Sequence, residues 1–184
     1  IIVGITNKNG DLTKDFTHVN DVNFLNFIQN ELFPFMQKNY RVNDFRLLIG
    51  HSLGGYFALK TLYNHPKTFN GYVAHDPSIW FNDKELLNLY QNVENHSFEN
   101  RFLMITQVGE SQNADHLRDH YQSIKKVDER LKSSKNKSLN YHYKQYVDEE
   151  HGSVPMIGSI DYLRWQFDGY RVNIKEIPNQ PNLV

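Results

Sequence analysis

The sequence predicts an α/β fold, a mostly parallel sheet with helices on both faces, and three observations carry that prediction. Short apolar runs of strand length alternate with stretches whose apolar residues recur at helical spacing. A G-x-S-x-G pattern, Gly50-His51-Ser52-Leu53-Gly54, stands between one such run and one such stretch. Acids and histidines follow the ends of later runs, at the edge of a parallel sheet where ligands bind.

The elements follow in order. Ile1-Ile2-Val3-Gly4-Ile5 has the composition of a buried strand, with no starting methionine and no polar lead-in, so the chain is expected to begin inside a longer protein. Residues 6–20 are polar, with Asn9-Gly10 and Asp11 as turn chemistry. From Asp21, apolar residues at Val22, Leu25, Ile28, Leu32 and Phe35 have helical spacing, with Asn20 or Asp21 as cap and Pro34 as a kink. A strand over 45–49 leads through the glycine-flanked serine into a helix over 53–64, and Pro66 lies just beyond its end.

Gly71-Tyr72-Val73-Ala74 is a short strand running into the loop His75-Asp76-Pro77-Ser78-Ile79-Trp80. Asn82 is placed to cap a helix over 84–91, and a strand over 101–106 ends at Val108-Gly109-Glu110. Residues 113–131 form a charged helix with Leu117, Tyr121, Ile124, Val127 and Leu131 as its apolar stripe. Residues 139–147 alternate as a strand does, and Asp148-Glu149-Glu150-His151-Gly152-Ser153 follows directly. A helix over 154–167 closes the domain. Residues 1–170 are thus read as one catalytic domain and the Pro/Asn-rich residues 171–184 as a tail or linker.

Composition excludes several functions. At 184 residues one domain suffices, and 20 Lys and Arg against 21 Asp and Glu leave no basic surplus for nucleic acid or anionic lipid. Without cysteine there is no disulfide, thiolate metal site or cysteine nucleophile, and nothing chooses between cytoplasm and periplasm. No apolar stretch reaches membrane-spanning length.

The serine carries the chemistry. On a strand-to-helix turn it must take strained backbone angles, so its hydroxyl is pushed clear of the sheet, and the glycines make room for neighbouring backbone. The Leu53 N–H, at the positive end of the following helix, is an oxyanion donor. The plainer alternative is a tight turn whose serine only caps that helix. A serine hydroxyl also needs a base and an acid to orient it, and in hydrolases with this turn they follow in the order serine, acid, histidine. His96, His116, His120, His142 and His151 all follow Ser52, but only His151 stands in a loop just after a strand, so it is taken as the base. Glu110, at the end of the preceding strand, is preferred as the acid over Asp115 and Asp148. Its plainer role is a first-turn carboxylate of the next helix. His116 and His120, four apart on a helix, have no acidic third ligand as in H-E-x-x-H, so they are read as a solvated face and no metal is expected. His51, Asp76 and Trp80 are assigned to the walls of the substrate pocket.

Taken together, Ile2-Val3-Gly4-Ile5-Thr6-Asn7 with Asp11-Leu12-Thr13, then 49–55 around Ser52, Asp76-Pro77-Ser78-Ile79-Trp80, and Glu149-Glu150-His151-Gly152-Ser153-Val154-Pro155 resemble the putative-esterase branch of the α/β-hydrolases. That branch includes esterase D-like enzymes and siderophore esterases, and the resemblance is strongest to IroE-like serine hydrolases. It implies an α/β-hydrolase fold, Ser52 as nucleophile, His151 as base and Glu110 as acid. Two departures stand out: relatives carry arginines where Lys8-Asn9-Gly10 stands, and they have an earlier strand whose Leu-Asp-Gly-like turn donates a second oxyanion N–H. That strand, with the rest of the N-terminal part of the sheet, is expected to precede residue 1.

The function expected is that of a serine esterase acting on a small-molecule ester, of siderophore type if the resemblance extends so far, with no cofactor. One alternative is an acyltransferase passing the same acyl-enzyme to an alcohol. Another is an inactive interaction module of the same fold.

Overall fold

The computed structural model describes residues 1–5, 16, 21–109 and 117–170. Its centre is a sheet of four parallel strands: β1 (Leu47–His51), β2 (Gly71–His75), β3 (Arg101–Val108) and β4 (Leu139–Tyr146). They lie side by side in chain order, each parallel to the one before. Parallel neighbours cannot be joined by a hairpin, so each junction needs a crossover, and helices supply it.

Among the described residues six α-helices surround the sheet: α1 (Asp21–Phe27), α2 (Phe33–Asn39), α3 (Leu53–Asn64), α4 (Phe81–Leu89), α5 (Arg118–Ser133) and α6 (Val154–Gln166). Successive strand residues point to opposite faces, and the core divides accordingly. Tyr72, Ala74, Leu103 and Ile105 face α3, α4 and α5, meeting Tyr56, Leu59, Leu86, Ile124 and Val127. Val73 and Met104, the residues between them, face the opposite way onto Tyr162 of α6. Truncating one of these fully buried leucines to alanine costs about 2–5 kcal/mol.

Several elements differ from expectation. Residues 1–5 form no strand, and Ile1, Ile2, Val3 and Ile5 are exposed. A strand is stable only with a neighbour to take its backbone hydrogen bonds, and among the described residues β1 pairs with β2 alone. The helix read from Asp21 is not one unbroken α-helix through Pro34. The chain passes from α1 through a π-helical turn (Ile28–Leu32), and Pro34 falls in the first turn of α2, where its missing N–H is no loss. Nor does Asn82 cap a helix: Asn82, Asp83 and Lys84 take left-handed angles (φ 52°, 49° and 61°), and the Asn82 amide donates to Glu85 Oε2 at 2.8 Å.

Candidate active site

Ser52 sits between the last residue of β1 and the first of α3, at φ 56° and ψ −115°. A non-glycine residue held in such a region costs on the order of 1–3 kcal/mol and persists only where its surroundings fix it. Here they do. The Ser52 N–H donates to the His75 carbonyl at 3.0 Å, and the Ser52 carbonyl accepts from the N–H groups of Tyr56 and Ser78, each at 3.0 Å. The turn is thus stitched to its own helix and to the loop that ends β2.

The glycines divide the work differently from the motif. A Cβ on Gly50 would lie 2.0 Å from the Gly54 carbonyl oxygen, so nothing larger fits. On Gly54 it would meet nothing within 4 Å, whereas on Gly55, outside the motif, it would come within 2.9 Å of Pro77. The close approach expected on both sides of the serine therefore falls at Gly50 and Gly55. Leu53 opens α3 with no side-chain hydrogen bond capping it, so the amino end of the helix faces the site.

Asp76 lies one residue beyond β2. Because His51 and His75 are register partners, it is the neighbour of Ser52 across the strand ends. It is 1 % exposed, so it cannot wall a pocket as expected; it lies under two imidazoles. His151 Nδ1 is 2.6 Å from Asp76 Oδ2, His120 Nε2 is 3.0 Å from the same oxygen, and the Val108 N–H donates to Oδ1 at 3.3 Å. Burial would raise the Asp76 carboxyl, but the hydrogen bonds from His120, His151 and Val108 outweigh it and hold the group well below the usual carboxylate range.

His151 is carried by the loop between β4 and α6 and is half exposed. The loop is braced by Ser153, whose hydroxyl accepts the Glu150 N–H at 3.0 Å and donates to Glu149. The ring of His51 lies against that of His151, centroids 4.3 Å apart, and its Nε2 is buried with no hydrogen-bond partner among the described residues. Burial, then the neighbouring His151, pushes the His51 imidazole down. The Ser52 hydroxyl is 3.1 Å from that of Ser78, and no hydrogen bond joins Ser52 to His151 among the described residues. The structure thus brings Ser52, His151 and the Asp76 carboxylate to one edge of the sheet but leaves the serine hydroxyl turned to Ser78.

The other candidates distribute as follows. Trp80 ends the same loop, 44 % exposed, its ring edge-on to Phe81. Glu110, Asp115 and His116 lie outside the described residues. Asp148 is exposed. His120 is not on a solvated face: it is buried on Asp76. His75, missed in the sequence, is fully buried, bridging the Thr106 and Ser159 hydroxyls at 3.0 Å each, and burial lowers its pKa to about 4. No helix among the described residues is long and apolar enough to cross a membrane.

Comparison with known proteins gives consistent results. A family model described as "Putative esterase" matches residues 18–168. A siderophore triacetylfusarinine C esterase of Aspergillus fumigatus is 32% identical over 123 residues, which is 61% of this chain and 42% of that protein. A siderophore enterobactin esterase of Emericella nidulans is 28% identical over 154 residues, 71% of this chain and 51% of that protein. Among solved structures, an IroE-like serine hydrolase from Shewanella oneidensis superposes with a TM-score of 0.71 at 28% identity, over 85% of this chain and 50% of that one. The chain therefore spans about half the length, or less, of the proteins it matches, and within that half the fold is that of an α/β-hydrolase.

Proposed function

Because the chain belongs to the putative-esterase family of the α/β-hydrolases, we propose that it hydrolyses a carboxylic ester through a covalent acyl-enzyme on Ser52. The observation that carries this reading is the 2.6 Å contact of His151 Nδ1 with the buried Asp76 carboxylate, beside a serine whose backbone is fixed by the same loop. The contact holds the imidazole with its proton on Nδ1, so that Nε2 offers a lone pair.

In this mechanism the Ser52 hydroxyl turns from Ser78 to His151, gives its proton to Nε2, and Oγ bonds to the ester carbonyl carbon. The charge that develops on the carbonyl oxygen is stabilised by the Leu53 N–H at the amino end of α3. Collapse breaks the bond to the alcohol oxygen, which takes the proton from His151. Water, deprotonated in turn by His151, then releases the acid and restores Ser52. Asp76 is assigned here as the acid that orients the base, in place of Glu110, because its carboxylate meets the ring. His51 and the exposed face of Trp80 are assigned to substrate contact.

The substrate class proposed is a siderophore-type ester, on the strength of the two fungal relatives named as siderophore esterases. A panel of trilactone siderophores against simple aryl and carbohydrate esters tests it: preferential cleavage of the trilactones supports the assignment, and preference for any other class overturns it. Labelling by a fluorophosphonate, mapped to Ser52 and lost in Ser52→Ala and His151→Ala, tests the mechanism beneath. A folded protein that takes no label refutes the acyl-enzyme.

A further inference from the structure

Asp76 is the meeting point of three separate elements. It stands in the loop just after β2, His120 comes from the first turn of α5, and His151 comes from the loop after β4. One carboxylate oxygen and two imidazole nitrogens, Asp76 Oδ2, His120 Nε2 and His151 Nδ1, all lie within 4.8 Å of one another. A triad needs only one of these imidazoles. The second, His120, is buried against the same oxygen. Two imidazoles and a carboxylate are the donor set that borderline divalent metals prefer, whereas magnesium and calcium prefer oxygen.

We propose that Asp76, His120 and His151 form a binding site for a borderline divalent cation such as Zn²⁺, and that its occupation switches off Ser52. The switch rests on the reading of Ser52 and His151 given above; the binding does not. Tetrahedral zinc, with bonds of about 2.0–2.1 Å, holds its ligand atoms about 3.3 Å apart. The nitrogens stand 3.0 and 2.6 Å from Oδ2, so His120 must retreat by about 0.3 Å and His151 by about 0.7 Å. His151, half exposed on its loop, has the greater distance to move and is the one free to move it, and its open side is where a cation would arrive.

The protons balance without loss. In the neutral, metal-free pair each ring donates an N–H to Oδ2, from Nδ1 in His151 and from Nε2 in His120. On binding, each ring's proton passes through water to its other nitrogen, and the metal takes the lone pairs so freed on His151 Nδ1 and His120 Nε2. Three coordinate bonds replace two hydrogen bonds. His151 Nε2 thereby becomes a donor with no lone pair to offer, and Ser52 loses its base.

The test is calorimetric titration of Zn²⁺, with Mg²⁺ as control, into the full chain carrying Ser52→Ala, so that no hydrolysis intervenes. One zinc per chain is expected, bound at least about tenfold more weakly when His120→Gln is added. Zinc binding no tighter than magnesium, or unchanged by His120→Gln, overturns the site. Should His120→Gln fail a thermal-melt check of folding, ¹⁵N-histidine NMR of Ser52→Ala decides it: zinc must shift His120 and His151, and shifts confined to other histidines overturn it. The switch is read separately, as loss of fluorophosphonate labelling of the wild type in zinc and its return with EDTA. Labelling that proceeds unchanged with zinc bound overturns the switch. If Ser52 takes no label even without metal, the esterase reading fails while the titration still decides the site.

Discussion

The two ends of the candidate site are built in opposite ways. The serine end is local: eight consecutive residues, 49–56, supply the strand end, the strained turn, both packed glycines and the helix start, and backbone hydrogen bonds hold them. The acid end is assembled from afar, with Asp76 and His151 75 positions apart and Asp76 and His120 44 apart, and side-chain hydrogen bonds, with one backbone N–H from Val108, hold it. A backbone device cannot be adjusted without breaking the fold, while a side-chain cluster is free to titrate, move or bind. In the proposed mechanism the first suits a nucleophile that must be aimed, and the second a base whose proton must travel.

Substitutions can break that contrast. Ser52→Ala should lower ester hydrolysis by on the order of 10⁶-fold while leaving the melting temperature nearly unchanged, measured by steady-state kinetics and calorimetry. Loss of fold instead would mean that the hydroxyl is structural. Asp76→Asn should cost about 10⁴-fold in kcat, because an amide favours the wrong tautomer of His151, whereas Glu110→Gln should cost less than about tenfold. The reverse ranking would return the acid to Glu110.

The serine end should fail through stability. Gly50→Ala must displace the Gly54 carbonyl and should destabilise by about 2–3 kcal/mol in urea unfolding. Gly54→Ala meets open space inside α3 and should be neutral, or stabilising by up to about 1 kcal/mol. Equal effects at the two glycines would sink the packing account. Smallest of all, Ser78→Ala releases the Ser52 hydroxyl from its present partner and should speed fluorophosphonate labelling about two- to tenfold, the worth of one net hydrogen bond. A slower rate would make Ser78 a contributor to the chemistry.

The same contrast decides what could be read in the sequence. The turn at Ser52 and the bounds of α3 were legible because the residues that shape them lie within a dozen positions, even though His75 and Ser78 complete the turn's hydrogen bonds, and the loop that carries His151 was legible from its place after a strand. Asp76 was read as pocket wall, and its proposed place as the acid was not read. The order serine, acid, histidine admits both Asp76 and Glu110, and only the sheet order, which puts β2 beside β1, sets Asp76 next to Ser52. His120 left a signal that was passed over. It lies four residues before Ile124 and seven before Val127, on the buried row of α5, so an inward-facing polar partner was called for. The strand expected at residues 1–5 failed because composition reports what a strand is made of and says nothing about what pairs with it. Pro34 was read as a kink because the widened turn before it leaves no mark in the spacing.

Sheet order has one more consequence. Strands that lie side by side in the order of the chain can be laid down as a ribosome delivers them, each crossover docking on the edge left by the last. Ser52 is then in place early, Asp76 soon after, and His151 only after the fourth strand has docked. On the mechanism proposed above, a half-made chain would hold Ser52 in its turn with no base beside it, inert toward esters until β4 has docked, so that chemical competence would follow the order of the sheet.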